Sequence, residues 1–187
     1  MKLEEIVKLS EELEEKVVKF RRDFHAHPEL SWKEERTSKV IEQVLKELGF
    51  KNVRRGFDGT GSGVIGDIAG RKEVPMIALR ADIDALPIEE EADVPWKSTN
   101  KGVMHACGHD AHVASLLGTA IILQELRNYI KGNIILIFQP AEERNPGGAK
   151  ILIDKGLLKK YNIIKVLGQH VLPELEVGKF NFGSNYV

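Results

Sequence analysis

Cysteine is nearly missing from this sequence: Cys107 is the only one. No internal disulfide can form, so the thiol is either a small buried apolar residue or a reactive or metal-binding group. With no second cysteine to resolve an oxidised intermediate, thiol redox chemistry is disfavoured. Aromatic residues make up only 6% of the chain, and no basic stripe interleaves with them. Neither sign of charge dominates, with 27 Lys and Arg against 28 Asp and Glu. That balance argues against a phosphate-neutralising surface and so against nucleic acid as a partner. Long hydrophobic runs are also lacking, since none approaches the roughly 20 residues that a membrane-spanning helix needs. The start, Met1-Lys2-Leu3-Glu4-Glu5, lacks the basic segment and apolar core of a secretory signal. Together these absences predict a cytoplasmic protein with no membrane partner. No nucleophile elbow surrounds any serine, which leaves a serine hydrolase poorly supported.

What is present points to a packed fold. The 187 residues are 42% hydrophobic and 29% charged, a composition of globular domains. Ile6, Leu9, Leu13, Val17, Phe20 and Phe24 recur at helical spacing, predicting one helix over residues 3–24. Ser31 and Glu34 have the spacing of a capping box, predicting a second helix from there to about Gly49. Short apolar runs predict strands at 63–68, 76–80, 133–138 and 164–167, with helices at about 110–129 and 148–158 between them. This alternation predicts an α/β sheet with helices on its faces. The glycine-rich stretch 59–63 lacks the following Lys-Ser or Lys-Thr of a phosphate loop and precedes a strand, so it is expected to be a turn.

Polar residues collect just after the predicted strands, where open α/β sheets place their ligands. Met104-His105-Ala106-Cys107-Gly108-His109-Asp110-Ala111-His112 brings a thiol, three imidazoles and a carboxylate together ahead of a helix. Thiolate and imidazole are ligands that first-row metals prefer, and Cys107 and His109 can face one ion. Glu142 and Glu143 follow a hydrophobic strand, where adjacent side chains point in different directions, so one can bind metal while the other handles protons. Glu11-Glu12 and Glu89-Glu90-Glu91 are expected to be solvated. His170 follows another apolar strand, as a third ligand or a structural residue. Asp82 and Asp84 either orient metal-bound histidines, touch metal, or cap turns, and Arg80 offers them an ion-pair partner.

Taken in order, several blocks resemble the M20 metallopeptidase family, specifically its amidohydrolase branch of aminoacylases, hippurate hydrolases and auxin-conjugate hydrolases. They are His27-Pro28-Glu29-Leu30-Ser31, Arg80-Ala81-Asp82-Ile83-Asp84-Ala85-Leu86-Pro87, the run from Met104 to His112, Phe138-Gln139-Pro140-Ala141-Glu142-Glu143, and Gly168-Gln169-His170. The resemblance implies a three-layer αβα sandwich, a zinc-peptidase-like catalytic domain over residues 1–178, with 179–187 as the start of a lid domain or a tail. It implies two divalent ions, Zn or Mn, with Co or Ni as alternatives. Cys107 would bridge them, His109 and His170 would complete one ion, and Glu143 would serve the other. Glu142 becomes the general base toward metal-activated water. Asp84 falls where the family keeps an aspartate that orients metal-site groups; Asp82 stands where other branches have a histidine ligand, for which His109 substitutes here. The implied substrates are N-acyl amino acids or short peptides. Family members continue through the lid beyond this sequence's last residue, which implies a fragment with one metal site incomplete, little activity alone and self-association as a homo-oligomer. The competing expectation is a non-catalytic metal-binding or regulatory remnant of the same fold.

Overall fold

A computed structural model describes residues 3–57, 59–68 and 75–182. The stretch expected as one N-terminal helix is two, α1 (Leu3–Glu12) and α2 (Glu14–Ala26). Leu13 between them keeps near-helical angles, φ −92° and ψ −7°, which is why the apolar period runs straight through the break. The halves differ in burial: α1 buries no residue, whereas α2 carries Phe24 and His25 inside.

The expected capping box does not form either. Glu29 instead accepts the N–H groups of Arg36 (3.0 Å) and Thr37 (2.8 Å), at the start of α3 (Glu35–Glu47). A carboxylate there satisfies helix donors that have no intrahelical partner. Ser31 and Glu34, both buried, are thereby free to reach elsewhere.

Five strands form one mixed sheet, ordered β1-β2-β4-β3-β5. They are β1 (Lys51–Arg55), β2 (Val64–Ile68), β3 (Met76–Asp82), β4 (Asn133–Gln139) and β5 (Ile163–Gly168). β1 was not legible in sequence, because Lys51-Asn52-Val53-Arg54-Arg55 is a half-exposed edge with no apolar alternation. The run Ile134-Ile135-Leu136-Ile137-Phe138 packs on both faces and takes the centre, antiparallel to β2 and parallel to β3. A continuous apolar run is what a strand covered on both sides needs. The expected turn at 59–63 joins β1 to β2, closed by the Gly56 N–H to Gly63 carbonyl bond of 2.8 Å.

Helix α4 (His109–Glu125) carries the chain from β3 to β4, while α5 (Gly148–Asp154) and α6 (Leu157–Lys160) carry it from β4 to β5. On one face Phe24, Ile41, Leu45, Val113 and Leu117 pack with Val64, Leu136 and Phe138. On the other, Leu152 and Leu157 pack with Ile65, Ala78, Ile135 and Ile137. Helices therefore cover both faces of the sheet, giving three layers. The two crossovers leave β3 and β4 toward opposite sides of the sheet, so a crevice opens at the carboxyl ends of these strands. No helix among the described residues is long and apolar enough to cross a membrane. After β5 the described residues form no helix or strand, and of the expected tail, 183–187 lie outside them.

Candidate metal centre

The crevice draws its side chains from several elements. Asp82 ends β3 and Asp84 follows it; Glu142 and Glu143 follow β4; His170 follows β5; Cys107 and Gly108 lead into α4, which opens with His109. Gly108 has φ +83°, and a Cβ there would run into Val171 Cγ2. Glycine is thus required both by backbone angle and by the close approach of the 171 segment.

Cys107 Sγ lies 3.4 Å from His170 Nε2. One ligand-type atom from each of Cys107, His109 and His170 falls within 4.8 Å of the others, and the same holds for His109 with Glu142 and Glu143. His109 Nδ1–H donates to the Asp84 carbonyl at 2.9 Å, with the Asp84 carboxylate 3.3 Å away. Its Nε2, buried, has no hydrogen-bond partner. His170 Nδ1–H donates to the Val171 carbonyl at 2.7 Å. Both rings therefore present an Nε2 lone pair, the atom left for a metal once the other nitrogen is fixed.

Asp84 joins these parts. Its Oδ2 accepts from the Ser31 hydroxyl (2.6 Å) and from the Glu143 backbone N–H (3.0 Å). Burial would raise its pKa, but the hydrogen bonds from His109, Ser31 and the Glu143 and Glu142 amides outweigh this and lower it. Asp82 is held still more firmly: burial opposes ionisation, yet the His112 hydrogen bond and the Arg80 charge bring it down to about 2. The centre is thus rich in ionised carboxylate, with Arg80, 2.7 Å from Asp82, as its paired guanidinium.

That excess marks the remaining groups. Cys107 is pushed up to about 11, by burial first and then by Glu143, Glu142 and Asp82. His109 is raised: burial would lower it, but Asp82, Asp84 and Glu143 together attract a proton to it. A thiol, two imidazole lone pairs and two glutamates around one negative, partly enclosed space are a donor set that fits divalent metal ions, whose charge reverses these preferences.

Three residues have partners that the sequence pattern does not show, Glu34 and His112 at this centre and Glu90 behind it. Glu34 is fully buried; its Oε1 accepts the Ala141 N–H and its Oε2 the Ser62 hydroxyl, each at 2.8 Å. It thereby holds the turn leading to Glu142, in which Ala141 has φ +49°. His112 stands three residues from His109, a spacing that puts both on one side of a helix. Glu90, expected to be solvated, is buried and bonded to His25 at 2.9 Å. His105 goes to the interior, where burial chiefly lowers its pKa to about 4 and both ring nitrogens lack partners.

Comparison with known proteins places the chain in a family. The chain is 43% identical over 179 residues to the N-acyl-L-amino acid amidohydrolase of Geobacillus stearothermophilus, covering 96% of this chain and 47% of that protein. It is 47% identical over 170 residues to thermostable carboxypeptidase 2 of Saccharolobus solfataricus, covering 90% and 42% respectively. The crystal structure of Bacillus subtilis YXEP, a dinuclear metal-binding peptidase of the M20 family, superposes with a TM-score of 0.82 at 42% identity, over 90% of this chain and 45% of that one. The chain thus spans under half the length of these relatives. With the pattern of Peptidase family M20/M25/M40 matching residues 78–185, across β3, α4, β4 and the residues after β5, the chain belongs to that family.

Proposed function

We propose that this chain carries part of the active site of a metal-dependent hydrolase that cleaves the amide C–N bond of N-acyl amino acids or short peptides. The observation that carries the reading is the grouping of Cys107, His109 and His170 ligand atoms within 4.8 Å, with buried His109 Nε2 unpartnered. Cys107, His109 and His170 would hold one ion, and Cys107 with Glu143 would serve a second. Zn2+ suits the thiolate and imidazoles, and Mn2+ the carboxylate side. Bound there, such ions acidify water and polarise a carbonyl oxygen.

The chain's own residues supply the rest. Glu142 stands at the open side of the crevice, its Oε2 4.0 Å from His109 Nε2. There it takes the proton of the attacking water and returns it to the leaving amine nitrogen. Asp84 holds the Glu143 backbone and the His109 ring in register, and Glu34 fixes the turn before Glu142. Relatives named for amidohydrolase and carboxypeptidase activity support the substrate class.

The test compares the metal-loaded chain with a version extended by the C-terminal half of a relative, both assayed on N-acetyl amino acids. Hydrolysis by the extended version, lost in Glu142→Gln while metal content is kept, is the expected result. Undiminished hydrolysis in Glu142→Gln would overturn the assignment.

A further inference from the structure

We propose that His112 is a positioning residue for His170, acting through the backbone N–H of Val171, and is not itself a metal ligand. The inference rests on the metal reading above. Asp82, His109 and His112 also bring ligand-type atoms within 4.8 Å of one another, so proximity alone would allow a second metal triad there. The hydrogen bonds decide against it. His112 Nδ1–H donates to Asp82 Oδ1 at 2.6 Å, and His112 Nε2 accepts the Val171 N–H at 3.0 Å. One nitrogen carries a proton and the lone pair of the other is taken.

These bonds belong to a longer chain. Arg80 donates to Gln139 Oε1 at 2.8 Å and pairs with Asp82 Oδ2 at 2.7 Å; Asp82 holds His112, and His112 holds Val171. The chain runs from the end of β4 through β3 and α4 to the segment after β5. Asp82 and His112 are 1% and 0% exposed, so water cannot replace a lost member. Val171 is held from a second direction as well, because its side chain closes on Gly108 between Cys107 and His109.

His170 needs such a clamp. It sits on an exposed segment in which no described residue is helical or extended, and its Nδ1–H is bonded to the neighbouring Val171 carbonyl. Anchoring Val171 therefore fixes both the place and the tautomer of His170, and so aims Nε2 at Cys107 Sγ.

Co2+ titration of the full chain tests this, read by calorimetry and by the thiolate-to-cobalt absorption band, in His112→Gln and His112→Asn. The Gln carbonyl oxygen reaches the place of Nε2 and can still accept the Val171 N–H. The Asn amide occupies the place of Nδ1, bonds Asp82 and falls short of Val171. His112→Asn should weaken Co2+ binding about 10–100-fold, the cost usual for an outer partner of a ligand, while His112→Gln stays close to the parent. In the metal-free chain, exchange of the Val171 amide proton should quicken in His112→Asn and not in His112→Gln. Parent-like Co2+ affinity in His112→Asn, or equal loss in both variants, overturns the proposal. Unchanged Co2+ binding in Cys107→Ala would instead overturn the metal reading, and amide exchange alone would then decide the clamp.

Discussion

His109 and Asp110 are neighbours in the chain and face two charge clusters of opposite character. Behind the start of α4, Asp110 Oδ2 accepts from His25 Nδ1 at 2.7 Å and from Arg21 Nε at 2.9 Å, and His25 Nε2 donates to Glu90 Oε1 at 2.9 Å. Glu90 Oε2 in turn accepts the Ser98 N–H at 2.6 Å. The Asp110 hydrogen bond raises the His25 pKa against the opposing effect of burial, and Glu90 adds to it. Two cations thus meet two carboxylates, and the rear cluster is neutral within itself. In front, Arg80 pairs with Asp82 alone among the described residues, and Asp82, Asp84, Glu142 and Glu143 surround His109, whose Nε2 is left without a hydrogen-bond partner. Both clusters are built from Asp, Glu, Arg and His, and the front one adds the Cys107 thiol. What separates a buried structural network from a candidate metal centre is whether the charges close on one another or leave a deficit of positive charge.

The rear cluster offers the largest effect. His25→Ala strands Asp110 and Glu90 in the interior and should cost about 3–5 kcal/mol, or roughly 10 °C of Tm for a domain of this size. Thermal unfolding of the metal-free chain measures it. Cys107→Ala in the front cluster should leave the stability of the metal-free chain within about 1 kcal/mol of the parent, as a partly exposed site does. Equal destabilisation by the two substitutions would erase the distinction.

Metal binding should reverse that ranking. Cys107→Ala is expected to weaken Zn2+ or Co2+ binding by about 100-fold or more, beyond the loss typical of an outer-shell partner; competition with a chelator dye reads it. A finer split lies between the glutamates. Glu143→Gln should reduce binding of the second ion, while Glu142→Gln leaves metal stoichiometry unchanged. Equal metal loss in both would remove the division of roles.

The smallest effect is a pH dependence of opposite sign for the two clusters. The His25 pKa is raised, so its contribution is complete below its ordinary value of 6.5 and fades as pH climbs through the raised value. Asp82 is depressed from 3.8 to about 2, so its contribution is complete above 3.8 and is lost as pH falls toward 2. Denaturant midpoints across pH should therefore show His25→Asn converging on the parent at high pH and Asp82→Asn converging on it only in strong acid. Parallel curves for both variants would contradict the assigned ionisation states.

Chain-local signals were enough to read most of the alternation of strands and helices, an α/β sheet with helices on its faces, and the dense run from Met104 to His112, because period and chemical type are written at short range. The break at Leu13 was hidden because a near-helical residue interrupts the helix without disturbing its apolar period. Ser31 and Glu34 carried a local capping pattern, but their partners Asp84 and Ala141 lie 53 and 107 residues away. Glu90 looked like its neighbours Glu89 and Glu91, and what sets it apart is its pairing with His25, 65 residues distant, and with the Ser98 amide. The three histidines of one nine-residue run could not be ranked from sequence. Tertiary structure sent His105 to the interior, tied both nitrogens of His112, and left His109 with a free Nε2. Residue type tells which groups can bind a metal or share a proton. Which lone pair stays open depends on partners that strand register and helix packing bring from elsewhere in the chain, and no local pattern records them.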